Sequence, residues 1–143
     1  LASTDRTAEQ FESEEFAAFR QTIESGAKMM MISNVAAPGL TGDNEPCTFS
    51  GRVVTDILRG ELGFDGVIVS GALNMAVISD YYGADEAAIM ALKAGCDMLY
   101  LPEDFAKAYQ AVLQAVQDGT ISEERIDDAL CRIYRIKYAD RIE

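Results

Sequence analysis

Apolar positions along this chain fall into two rhythms. One recurs every three to four residues, as on a helix face. The other is a short unbroken run, as in a strand shielded on both sides. The first helical stretch runs from Thr7 to Ser25, with Phe16, Phe19 and Ile23 on one face. Thr7 and Gln10 have capping-box spacing, Glu9, Glu12, Glu14 and Glu15 load the half favoured by the helix dipole, and Gly26 ends it. Lys28 to Ser33 is a short apolar run, and the pattern predicts a strand buried on both faces. Ser50 then caps a helix carrying Val53, Val54, Ile57, Leu58 and Leu62, ended by Gly63. Val67 to Ser70 is a second strand. Asp85 to Ala94 is apolar nearly all round, which implies a buried helix. Asp97 to Leu101 is a third strand, closed by Pro102. Two helices finish the chain, Glu103 to Asp118 and one capped by Ser122 with Ile126, Leu130, Ile133 and Tyr134 on one side.

The element order is therefore α-β-α-β-α-β-α-α. Strands alternating with helices mean a parallel sheet with right-handed crossovers. The fold class is α/β, a partial (β/α) barrel of about three parallel strands with flanking helices. The 143 residues form a single partial-barrel domain, well short of the roughly 250 of a complete eight-stranded barrel. A three-stranded parallel sheet leaves edges that need cover. The expectation is half of an assembly, completed by a partner half or by self-association.

Charge narrows the partners. There are 12 Lys and Arg against 24 Asp and Glu, a net charge of −12. Such a chain repels a phosphate backbone and an anionic lipid surface, so neither nucleic acid nor a membrane is an expected partner. No apolar run reaches the length of a membrane span. With no His in the chain, Ser-His and Cys-His catalytic pairs and His-containing zinc sites are ruled out within it. Cys47, Cys96 and Cys131 are odd in number and widely spaced. They indicate neither a disulfide framework nor a metal site, and Cys96 and Cys131 read as small core residues. Unpaired thiols favour the cytoplasm. Nothing calls for a cofactor or a metal.

In a parallel α/β fold, chemistry sits at the C-terminal strand ends. Those ends are Ser33-Asn34, Ser70-Gly71 and Leu101-Pro102, the last followed by Glu103 and Asp104. The first two offer no carboxylate, Cys or Lys. Ser33 and Ser70 read as hydrogen-bonding terminators. Glu103 and Asp104 read as first-turn residues of a helix, with a paired-carboxylate reading as the weaker alternative. Tyr81-Tyr82 is either a sugar-stacking platform or a loop anchor.

One stretch carries more information than its chemistry. Leu58-Arg59-Gly60-Glu61-Leu62-Gly63-Phe64-Asp65-Gly66-Val67-Ile68-Val69-Ser70, followed by Gly71-Ala72-Leu73-Asn74-Met75, resembles the signature region of glycoside hydrolase family 3. The bacterial β-N-acetylglucosaminidases are the branch it looks like. Asp43 to Ser50, Ala94 to Leu99 and Gly119 to Asp127 resemble further parts of the same domain, so the likeness covers essentially the whole chain. It implies the C-terminal half of the family's barrel and an N-acetylglucosamine-type sugar as ligand. It also implies two departures. The family's retaining mechanism uses an Asp nucleophile after the signature Ser, and that place is Gly71 here. The family's Ser-His pair appears as Ser33-Asn34. By the same resemblance, the acid/base loop and a Lys-His sugar-binding pair belong upstream of Leu1.

The expectation is a chain with no catalytic residue of its own, inactive alone, completed by an N-terminal half-barrel chain or a homo-oligomer. The alternative is a non-catalytic carbohydrate-binding or protein-interaction module. Asn34, Asn74 and Met75 are the candidate substrate-binding residues.

Overall fold

A computed structural model describes residues 2–141 of the chain. The first helix, α1, spans residues 8–24 and winds more widely through Phe11–Glu15. The capping box forms: Gln10 N–H donates to Thr7 Oγ1 at 3.3 Å, and Thr7 N–H donates to Gln10 Oε1 at 2.9 Å. Strand β1 is Met29–Met31. A short helix α2 (Pro38–Thr41) and a single turn at Cys47–Phe49 break up the long loop after it. Helix α3 is Arg52–Glu61, and Val53 N–H donates to Ser50 Oγ at its start. Strand β2 is Val67–Ala72, two residues longer than expected, so it runs through Gly71. The loop behind it holds α4 (Ala76–Ser79). Then come α5 (Ala84–Ala94), β3 (Met98–Tyr100), α6 (Phe105–Gln117) and α7 (Glu123–Lys137).

The three strands are parallel in the order β1-β2-β3. Met29 pairs with Val67, Met30 with Ile68, and Met31 with Val69; Val69 in turn pairs with Met98. Partners in register share a face, and alternate residues along a strand face opposite ways. One face carries Met30 and Ile68 into the core, with Val54, Leu58, Phe64, Ile78 and Ala91 from the surrounding elements. Burying each large apolar side chain there contributes about 1.5–3 kcal/mol. The sheet is open, as expected of a partial barrel.

The opposite face is largely open, although Val67 at the start of β2 is buried, and this corrects the expectation of strands shielded on both sides. Met29 is 48% exposed and Met31 58%, while Met98 and Tyr100 on β3 are also exposed. The apolar run Met29–Met31 has the composition of a two-sided strand, but only Met30 meets helices. The helices of the described residues pack on one side of the sheet. The residues that would form the inside of a closed barrel look outward instead.

Two smaller expectations also change. Cys131 is exposed, because it lies on the outer side of α7, whereas Cys96 is fully buried. Asp104 caps α6 rather than lying in its first turn, taking Lys107 N–H on Oδ1 at 2.9 Å, and Glu103 precedes the helix. Gly26 and Gly63 stand in left-handed turns after their helices, as read. Gly95 ends α5 with φ +119°, and a side chain there would also strike Thr55 Oγ1, which donates to Ala94 O at 2.7 Å. Glycine suits that turn on both counts.

Candidate functional site

The C-terminal ends of β1 and β2 border a cavity of about 490 Å³. Its walls are apolar: Ala2, Met31, Val35, Met75 and Val77 contribute, with Asn34 and Gly71 beside them. It lies where a parallel sheet places its ligands, because the crevice beyond the strand ends is where connecting loops diverge.

Asn34 is the polar residue that shapes this place. It leaves the end of β1 and is only 8% exposed. Its Nδ2 donates to Ala72 O at 2.9 Å and lies 3.7 Å from Met75 Sδ. Its Oδ1 is buried and has no hydrogen-bond partner. A buried acceptor without a donor is costly, by about 1–3 kcal/mol. Gly71 sits opposite, two residues beyond Val69. Its N–H donates to Thr48 Oγ1 at 3.1 Å. Ser70 Oγ donates to Gly71 O at 2.9 Å and accepts Tyr100 N–H at 2.9 Å, so this hydroxyl ties β2 to β3. Ser33 Oγ accepts Val35 N–H at 3.1 Å. Both serines therefore act as hydrogen-bonding terminators, and neither is poised for attack.

Of the three candidate binding residues, Asn34 and Met75 come together at the cavity, while Asn74 is exposed and lies outside its walls. Glu103 and Asp104 are not brought to it. Tyr82 packs edge-on against Phe49 at 5.1 Å and anchors the loop, whereas Tyr81 is 73% exposed. Thr48, which holds the backbone at Gly71, was missed. Nothing in its local sequence marks it, because its partner lies 23 residues away. The described walls of the cavity contain no Asp, Glu, Lys or Arg. Among the described residues no group of three His, Cys, Asp or Glu side chains is placed to hold a metal ion. None of their helices is long and apolar enough to cross a membrane.

Charge collects at the other end of the sheet. Asp97, at the start of β3, is buried with three guanidiniums around it. Arg59 pairs with Oδ2, while Arg132 and Arg125 lie 3.2 and 3.6 Å from Oδ1. Ile68 N–H also donates to Oδ2 at 2.9 Å. Burial pushes the Arg59 guanidinium below its ordinary pKa, and the charge of Asp97 opposes that shift. In barrels this N-terminal face serves stability, and the catalytic face is opposite.

A three-stranded parallel sheet with helices around it and open edges is the architecture of a partial (β/α) barrel. The family description "Glycosyl hydrolase family 3 N terminal domain" matches residues 1–136, and the chain belongs to glycoside hydrolase family 3. A β-hexosaminidase of Chromobacterium violaceum is 41% identical over 126 residues, covering 86% of this chain and 34% of that protein. A β-N-acetylglucosaminidase/β-glucosidase of Cellulomonas fimi is 27% identical over 128 residues, covering 83% of this chain and 23% of that protein. Among solved structures, a glycoside hydrolase family 3 β-N-acetylglucosaminidase from Paenibacillus sp. str. FPU-7 superposes with a TM-score of 0.89. It is 36% identical and covers 99% of this chain and 28% of its own. The chain thus spans about a quarter to a third of the length of these relatives.

Proposed function

We propose that this chain forms the latter half of a β-N-acetylglucosaminidase-type barrel, and that it does not hydrolyse glycosides by itself. The observation that carries this reading is Gly71. A retaining glycosidase sets two carboxyl groups about 5–5.5 Å apart across the scissile bond. Here the place that the family resemblance assigns to the nucleophile has no side chain, and the described cavity walls supply no carboxylate. No covalent glycosyl-enzyme can form at a glycine.

The open sheet face supports completion by another half. Met29, Met31, Met98 and Tyr100 stand exposed on one side, and the outer edges of β1 and β3 are unpaired among the described residues. A partner half-barrel chain or a second copy would cover both. Three unpaired cysteines fit a reducing, cytoplasmic setting.

A second reading is favoured by the cavity itself. An apolar crevice of about 490 Å³ with no charged residue in its described walls suits a neutral ligand with apolar surface, as an N-acetylglucosamine-type sugar has. The chain would then bind sugar, or another protein, without cleaving it.

Incubation with a chromogenic N-acetylglucosaminide tests the first reading, and no turnover is expected. Turnover that tracks with the chain through purification would overturn it. Sedimentation analysis should show self-association or capture of a half-barrel partner, and a monomer that binds neither counts against completion. Calorimetry with N-acetylglucosamine at millimolar concentration tests the second reading, which fails if no heat of binding is seen.

A further inference from the structure

Gly71 is not required by its own backbone. Its φ lies outside the left-handed region that favours glycine, and a glycine inside a strand weakens it. A Cβ placed on Gly71 would have Asn34 as its three nearest neighbours: Oδ1, Cγ at 2.6 Å and Nδ2 at 2.9 Å. All three belong to one carboxamide, and that carboxamide is held in place by the bond from Nδ2 to Ala72 O. The pair joins the ends of two neighbouring strands, β1 and β2.

We propose that Asn34 is a plug. Its carboxamide stands in the space a side chain at position 71 would fill, and it favours glycine there. Two consequences follow from the geometry. The position that a side chain at 71 would take is occupied by the Asn34 carboxamide, so a small external carboxylate cannot sit there without moving it. The unpaired Oδ1 of Asn34 also faces position 71. A carboxylate introduced at 71 would meet an acceptor, not a donor, and would displace Asn34 from Ala72. A single substitution at 71 therefore does not rebuild an acidic site; positions 34 and 71 must change together. This coupling holds whether or not the cavity binds sugar.

A thermal-unfolding cycle on the full chain tests it, with wild type, G71A, N34A and the double variant. G71A in the wild-type background should lower Tm by about 3 °C, as expected for losing a buried hydrogen bond in a chain of this size. In the N34A background the same change should leave Tm unchanged or raise it, because alanine loses less backbone entropy on folding than glycine. An equal cost in both backgrounds, or no cost in either, overturns the proposal. Should N34A not fold, the side-chain NH2 resonances of Asn34 in G71A give the same answer. They should move as the bond to Ala72 breaks, and unchanged resonances overturn the proposal.

Discussion

Arg59 closes over the fully buried carboxylate of Asp97, joining the end of α3 to the start of β3 across 38 residues of sequence. The same guanidinium donates to Phe64 O at 2.8 Å and to Gly66 O, so it also ties down the turn that feeds β2. One side chain therefore sets how two strands enter the sheet. Removing Asp97 would leave three guanidiniums facing one another. Breaking a buried pair by removing one partner costs about 3–5 kcal/mol. We expect D97A to lose about 3 kcal/mol or more in urea denaturation. R135A should lose no more than about 1 kcal/mol, because Arg135 and Asp65 form an exposed pair at 2.8 Å. Equal losses would show that burial does not govern these pairs.

The cysteines should separate by reactivity. Burial pushes the Cys96 thiol from its ordinary 9.0 up to about 12, and it raises Cys47 as well. Cys131 is exposed. At pH 8, iodoacetamide should label Cys131 rapidly and the other two only on unfolding, as read by peptide mass spectrometry.

The Cys96 shift has a stability consequence with a definite sign. A group whose folded pKa is raised holds its proton more tightly when folded. Its contribution is complete below about pH 9 and is lost as pH rises from 9 towards 12. C96A, which removes the ionisable thiol, should flatten the fall in Tm across that alkaline window. An unchanged slope would remove Cys96 as its cause.

Caps should behave as local devices. Ser122 Oγ accepts Arg125 N–H at 3.1 Å at the start of α7, and S122A should cost about 1 kcal/mol in denaturant unfolding. S122D should retain most of that stability, since aspartate accepts the same bond and favours the helix dipole.

Neighbouring methionines should respond in opposite ways. M30K puts a charge into the core and should unfold the chain or lower Tm steeply, because Met30 is only 8% exposed. M31K should leave the Tm of the isolated chain nearly unchanged, because Met31 is 58% exposed. If a second half covers this face, M31K should abolish its sedimentation as a complex. A complex that survives M31K places the interface elsewhere.

The contrast between Met30 and Met31 marks what the residues reveal and what they withhold. Three methionines in a row indicate a strand, and period-two geometry divides them between faces. Which face meets helices depends on elements far away in the chain, and which face stays open depends on what surrounds the sheet. Cys131 shows the same limit: apolar neighbours in sequence did not make it buried, because it stands on the outer side of its helix. Thr48 is the corresponding gap at the candidate site. A threonine in a loop carries no mark of the glycine N–H it will accept from β2.

The sequence by itself determined the order of the three strands and the long helices, though not the short helices α2 and α4 within its loops. It also determined the caps at Thr7 and Ser122, the glycine stops, the family likeness and the two residues that depart from it, Asn34 and Gly71. Those are local properties. A cap or a left-handed turn is decided within a few residues, where the backbone bonds to itself. Only the tertiary structure decided that Asn34 fills the space beside Gly71, that Asp97 gathers three arginines, and that one face of the sheet is left open. These depend on parallel register and packing. Residues 34 and 72 become hydrogen-bonded neighbours only when β1 and β2 lie side by side. No local preference at either position encodes that meeting.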